Sequence, residues 1–299
     1  MHMLTFNPQE ISVQRVHQLL LGSIGPRPIA FASTVNEAGQ PNLAPFSFFN
    51  VFSANPPILI FSPARSGRTN ETKDTYKNVK VVPEVVINVV NFDMVHQMSL
   101  ASSPYSADIS EFDKAGLTAL PSETIKPFRV GESPVQFECK VLEVKELGHE
   151  GGAGNLIICE VLRIHIQEEL MDANGLIDQH KIDLVARMGG DWYCRADVNA
   201  MFEIKKPITT CGIGFDALPK DLKNSRILSG NDLGQLAGIE ELPNETDVNE
   251  YKLIELSELF VSLENDAVEL EKQLHQKAKA LLAENKLEEA WLTLLAFNN

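Results

Sequence analysis

Two long runs, Val135–Lys145 (VQFECKVLEVK) and Asn155–Ile166 (NLIICEVLRIHI), are β-branched and apolar on much of both faces. A strand with one wet face alternates apolar and polar residues, so strands of this kind must be covered on both sides. The shorter run Glu84–Val90 (EVVINVV) has the same character. Together they call for a barrel filled inside and clothed outside, or for a sheet covered by a partner. At 299 residues the chain is long enough for one substantial core with an appended segment.

Ahead of these runs, Gly25–Pro63 reads as short strands joined by turns. Pro28–Val35 is apolar and strand-like, and Asn36–Gln40 (NEAGQ) is a hairpin turn in which Gly39 is free to take φ > 0. The chain returns through Asn42–Phe52 and, after Asn55-Pro56-Pro57, enters a further strand at Ile58–Ser62. Ser33, Thr34, Asn42, Ser47, Asn50 and Ser62 interrupt these hydrophobic segments. They fit either a ligand-facing surface or ordinary hairpin and edge-strand polarity. In Ser66–Asn78 (SGRTNETKDTYKN), Arg68, Lys73 and Thr75 cluster ahead of a short helix that Asp74 or Thr75 can cap. Free N–H groups at a helix start beside an arginine suit an anion, and a solvated charged turn is the plain alternative.

Charge narrows the classes of partner. With 26 Lys+Arg against 41 Asp+Glu, the formal net charge is −15, which disfavours nucleic acid and anionic membrane surfaces. The start of the chain lacks a signal-peptide pattern and no apolar run reaches transmembrane length, so a cytoplasmic protein is expected. Cys139, Cys159, Cys194 and Cys211 show no metal-ligand spacing, and the first two read as small core residues. The seven histidines are scattered, so no metal site is expected. Dinucleotide-binding, P-loop and nucleophile-elbow motifs are absent.

The barrel is expected from about Gly25 to Ile166, behind a lead-in at Asn7–Leu21 that ends in a short helix. Asn91–Pro121 interrupts it as a partly helical insertion that either covers a ligand or packs against the barrel. Gly189-Gly190 is a turn, with Trp192 and Tyr193 as amphipathic anchors. Domains are drawn at 1–205 and 206–299. The second is loop-rich, then passes an acidic linker at Glu240–Glu250 and becomes helical over Tyr251–Asn299. There Leu270, Leu274, Ala278 and Leu281 share a helix face, and a second helix, Leu287–Phe297, follows.

The strings GPRPIAFAST, NLAPFSFFN, NPPILIFSP, R…TKDT, VVINVV, SPVQFECKV and AGNLIICEV occur in one order over roughly residues 20–240. In this the chain resembles the flavin reductase-like, FMN-binding split-barrel family. The resemblance implies a mainly β fold, a six-stranded antiparallel Greek-key split barrel with flanking helices, here with a helical C-terminal extension. It implies a homodimer that binds FMN and acts on a small-molecule substrate. Residue by residue, it puts the flavin ring against Ala44, Pro45, Phe46, Ser47, Phe48, Phe49 and Asn50. Ser33 and Thr34 would lie toward the ribityl–phosphate end, Ser62 at the ring's far side, Arg68, Lys73 and Thr75 on the phosphate, and Tyr193 nearby.

One departure bears on activity. Members that use NADH or NADPH as electron donor often carry Gly-Asp-His before the strand matching Leu156–Val161, where this chain has Gly152-Ala153-Gly154-Asn155. His149 in the preceding loop is the candidate substitute, with a solvated loop residue as the plain reading. The expected function is therefore an FMN-dependent oxidoreductase. The alternatives are an FMN carrier or sensor, or the reductase component of a two-component monooxygenase, which the missing histidine weakens.

Overall fold

The structure, a computed structural model, describes residues 2–106 and 108–298; residue 107 of the insertion and the two chain ends lie outside it. It divides into two compact units, one up to Phe202 and one from Glu203. No helix among the described residues is long and apolar enough to cross a membrane.

The first unit opens with α1 (Val13–Ser23), capped by the Ser12 hydroxyl on the Arg15 N–H. Next come β1 (Ala30–Val35), β2 (Pro41–Phe46), β3 (Phe49–Ala54), β4 (Pro57–Phe61), α2 (Asp74–Val81) and β5 (Glu84–Asn88). α3 (Val95–Leu100), α4 (Glu111–Ala115), β6 (Ala119–Leu120) and β7 (Arg129–Val130) lead to the long hairpin β8 (Val135–Glu146) and β9 (Asn155–Ile166). A small ribbon, β10 (Val185–Arg187) with β11 (Tyr193–Arg195), ends the unit.

One antiparallel sheet carries the order β2-β1-β5-β8-β9-β4-β3. Its two edges, β2 and β3, are consecutive in the chain with only Ser47 and Phe48 between them. The sheet must therefore curl until its edges meet, giving a barrel split along an unpaired seam. A single apolar cluster confirms the closure, because every strand contributes: Ala30, Phe46, Phe49, Phe61, Ile87, Cys139 and Cys159 among others. The strand count is seven, not six. The run expected to return continuously through Asn42–Phe52 breaks at Ser47-Phe48, and each half becomes an edge strand.

The outer face of the barrel is clothed by the insertion. Phe31 and Leu43 pack against Met94, Met98, Phe112 and Leu117. Glu111 accepts a hydrogen bond from the Leu43 N–H on the free edge of β2 at 3.0 Å, so a carboxylate blunts that edge. Burial pushes the Glu111 carboxyl up from its ordinary pKa. Farther along, Glu138 on β8 is wholly buried. It accepts from the N–H groups of Glu123 (2.8 Å) and Thr124 (2.7 Å), from the Thr124 hydroxyl, and pairs with His165 Nε2 at 2.8 Å. This one carboxylate staples the chain around Glu123 onto the barrel.

The second unit is helical: α5 (Lys220–Lys223), α6 (Gly230–Leu236), α7 (Glu245–Glu255), α8 (Ser257–Ser262), α9 (Ala267–Ala283) and α10 (Leu287–Leu295). Trp291 is fully buried among Leu222, Leu236, Leu282 and Leu294, and its indole N–H donates to the Leu236 carbonyl at 3.1 Å. The acidic stretch expected to be a linker differs from that reading. Its second half is the start of α7, because Asn244 caps the helix on the Asp247 N–H, and Glu245 and Asp247 complement the helix dipole.

Candidate functional site

At one end of the barrel, α2 lies against the β1–β2 hairpin through a polar cluster. The Asn42 amide donates to the hydroxyls of Thr34 (3.2 Å) and Thr75 (3.0 Å), and the Asn78 amide donates to Thr34 at 3.1 Å. Thr34 and Thr75 are fully buried. Each of these hydroxyls accepts from an amide and keeps its own proton to donate. The start of α2 differs from expectation, since neither Asp74 nor Thr75 caps it. The N-cap is Lys73 with no side-chain cap, while Asp74 pairs with Lys77 at 2.8 Å. The first-turn N–H groups are thus left for a ligand or water. Arg68 and Lys73 are exposed, and no ion pair engages either among the described residues.

The loop bearing Arg68 is fixed to the β8–β9 loop. Arg65 N–H donates to the Ala153 carbonyl (2.8 Å), Gly152 N–H to the Arg65 carbonyl (3.1 Å), and the Asn70 amide to the His149 carbonyl (3.0 Å). The Arg65 guanidinium is held by Asn70 at 2.7 and 2.8 Å. The two loops press so closely that a Cβ on Gly151 would come 3.0 Å from the Ser66 carbonyl oxygen. Gly151→Ala is expected to lower unfolding stability by about 1–3 kcal/mol in urea, because backbone must move to admit the methyl. Gly67→Ala meets open space and should leave stability nearly unchanged.

A Cβ at Gly154 would sit 2.8 Å from the Ser62 hydroxyl, so no larger side chain fits there without displacing Ser62. Asn155 is buried, with its amide N–H donating to the Pro63 carbonyl at 2.9 Å. The oxygens of Ser33, Ser62 and Asn155 are buried with no hydrogen-bond partner. Native proteins rarely leave such groups unmet without a reason. His149, the candidate catalytic residue, is 82% exposed at its side chain and lies 3.5 Å from Glu146. Its backbone belongs to this loop contact, but its ring points to solvent.

Strand alternation divides the expected ring wall. Ala44, Phe46 and Phe49 lie on or next to the barrel interior, with Phe46 packed on Phe61 at 5.5 Å, whereas Pro45 takes the opposite face of β2. Ser33 likewise shares the outer face of β1 with Phe31, opposite Thr34. Ser47 and Phe48 form the seam corner, and the Asn50 carbonyl oxygen of the side chain accepts from the Val51 N–H at 2.8 Å. The structure therefore brings Thr34 and Thr75 together near Lys73, places Ser62 under Gly154, and leaves Ser33 and Pro45 on other faces. Tyr193 sits apart on β11, with the Arg187 guanidinium 4.5 Å over its ring.

Sequence reasoning passed over Arg27. It is buried and holds the seam corner to two distant segments: it donates to the carbonyls of Leu21 (2.8 Å), Ile24 and Met188 (2.8 Å), and reaches Ser47 at 3.5 Å. Burial, and then the charge of Arg187, hold its pKa below the ordinary value. A lone arginine inside GPRP offered no signal of this role. His17 of α1 was also missed; its ring stands edge-on to Phe48 at 6.4 Å.

Known proteins of similar sequence and fold place this split barrel in a family. The model of the flavin reductase like domain matches residues 22–182. An uncharacterized protein of Halalkalibacterium halodurans is 36% identical over 189 residues, which is 62% of this chain and 90% of that one. Nitrilotriacetate monooxygenase component B from Bacillus cereus superposes with a TM-score of 0.64 at 32% identity, covering 68% of this chain and 100% of that protein. The 2-nitrobenzoate 2-nitroreductase of Pseudomonas fluorescens gives 0.62 at 26% identity, covering 71% and 100%. The chain belongs to the flavin reductase like domain family.

Proposed function

We propose that the chain is an FMN-binding oxidoreductase whose first unit, close to the 1–205 domain read from sequence, holds the cofactor. The observation that carries this reading is the uncapped start of α2 at Lys73, close to the buried Thr34–Thr75 hydroxyls, with Arg68 exposed in the loop that leads into it and neither cation ion-paired among the described residues. That set suits a terminal phosphate. The unmet oxygens of Ser62 and Asn155 are free to meet polar atoms of the ring, so the residues present fit the group. Arg68, Lys73 and Thr75 would hold the phosphate, and Ala44 and Phe46 to Asn50 with Ser62 would meet the ring. Bound FMN supplies hydride and electron transfer, while the protein orients it and excludes water.

The likeness to component B of a monooxygenase also supports a role in delivering reduced flavin to a partner enzyme. Against fast turnover with nicotinamide stands Asn155, committed to Pro63 where the family resemblance leads one to expect a histidine. Titration of the purified protein with FMN, followed by anaerobic NADH and then NADPH, tests both points. FMN should bind and its visible absorption band should bleach slowly. Failure to bind FMN overturns the proposal; fast bleaching favours the reductase-component role over a carrier.

The working unit in this reading is a homodimer. Trp192 is 77% exposed at the tip of a turn, and Val51 and Phe52 of the edge strand β3 are exposed as well. Apolar groups held rigidly in water favour an interface. Trp192→Ala should weaken dimerisation by sedimentation at micromolar protein; a wild-type monomer that holds stoichiometric FMN would exclude a shared site.

A further inference from the structure

β4 pairs with β9 only from Ile157 to Glu160, so the last residues of β9 run past it with one ladder edge open. There a cleft of about 440 Å³ is lined by Arg129, Pro134, Gln136, Ile164, His165, Ile166 and Gln167. None of these is acidic, in a chain of net charge −15. Three lining residues are apolar and four carry nitrogen donors.

The donors are held in place from beneath. Glu138, wholly buried, takes His165 Nε2 at 2.8 Å, which fixes that nitrogen as the donor and leaves Nδ1 with no other partner among the described residues. Arg129 donates through Nη1 to the Gln136 side chain at 2.9 Å, and through Nε and Nη2 to the Pro121 carbonyl at 3.3 and 3.2 Å. Two of its five N–H groups remain free. Arg129 and His165 expose only 18% and 17% of their side chains, and both line the cleft. The Gln136 amide is used up on the carbonyls of Val130 and Ser133, so it is wall rather than donor. Nearby on β9, Arg163 pairs with Glu123 at 3.5 Å.

We infer that this cleft is a second binding site, for a small organic carboxylate with a flat apolar body. The carboxylate would sit on the free N–H groups of Arg129, with the Gln167 amide beside it. Pro134 and the open backbone edge of β9 at Ile164 and Ile166 would flank the apolar part. An ionised acceptor earns the charge-assisted bonds that a neutral amide of the same shape cannot. The buried Glu138 does not compete for the ligand's place, because its oxygens are already engaged by four groups. The inference does not rest on flavin binding.

The full chain is titrated with benzoate, and separately with benzamide as the uncharged probe of equal shape. The His165 ring and Arg129 side-chain resonances are followed by NMR. Benzoate should shift both, saturating in the millimolar range, with benzamide about tenfold weaker or more. Arg129→Ala should weaken benzoate binding by about the same factor. Thermal unfolding of each variant shows whether it is folded. If Arg129→Ala does not fold, Gln167→Ala serves in its place and should also weaken binding. No shift up to tens of millimolar (about that range by the affinity scale), equal binding of benzoate and benzamide, or affinity unchanged in a folded variant overturns the site.

Discussion

Glu138→Ala should cost the first unit about 3–5 kcal/mol of unfolding stability, in line with removing one member of a buried ionic cluster. The N–H groups of Glu123 and Thr124, the Thr124 hydroxyl and the His165 ring all lose their acceptor at once. The Arg129 guanidinium, 3.9 Å away, loses the carboxylate it faces. Domain stabilities are themselves about 5–15 kcal/mol, so the variant should unfold at a visibly lower urea concentration. The same cluster predicts acid behaviour. Burial alone would raise the Glu138 pKa, but hydrogen bonds from Thr124, Glu123 and His165 outweigh it and bring it down to about 2, from 4.5. A carboxyl with a depressed folded pKa stabilises the fold fully above its unfolded value and loses that contribution as pH falls through the folded one. The wild type should therefore lose on the order of 3 kcal/mol between pH 4.5 and about 2. In Glu138→Ala the stability profile over that window should be flatter. An equally steep profile in the variant would assign the acid sensitivity to other groups.

The parts of the molecule that were readable in the sequence are those fixed by local pattern. Val135–Lys145, Asn155–Ile166 and Glu84–Val90 all form strands, although Leu142, Leu162, Ile164 and Ile166 of the long hairpin are exposed rather than covered, and the Asn36–Gln40 turn forms with Gly39 at φ 80°. The seventh strand escaped because Phe49–Ala54 has no buried face of its own to show a period, with Asn50, Val51 and Phe52 all exposed. The start of α7 escaped because its acidic first turn resembles a linker until Asn244 is read as a cap. Buried charges were the least readable. Arg27 meets Met188 across 161 positions of chain, and Glu138 meets Thr124 through a fold-back that no spacing rule encodes. Of the candidate site, Thr34 and Thr75 do converge, but through the amides of Asn42 and Asn78, whose part in the cluster only the tertiary contacts reveal. Alternation on β1 then explains why the neighbouring pair Ser33 and Thr34 cannot serve one ligand face together.

Arg68→Ala should weaken FMN binding by roughly tenfold to a hundredfold, the worth of one charge-assisted phosphate contact of about 1.5–3 kcal/mol. The side chain is exposed and unpaired, so its removal breaks no contact in the free protein and unfolding should be unaffected. That separates it from Thr75→Val, which would strip the Asn42 amide of an acceptor in a buried place and disturb the hairpin itself. Lys73→Ala removes a second cation at the uncapped start of α2, and the double variant should bind more weakly than either single one. Because both cations are solvent-facing, raising the salt concentration should weaken wild-type binding and narrow its difference from the variants. Arg65 offers the internal contrast: its guanidinium is already bound to Asn70, so Arg65→Ala should loosen the loop pair before it affects a phosphate. If the FMN dissociation constant is unchanged in Arg68→Ala and in the double variant, the phosphate does not lie at the start of α2. The unmet oxygens of Ser62 and Asn155 would then have to be explained without a flavin beside them.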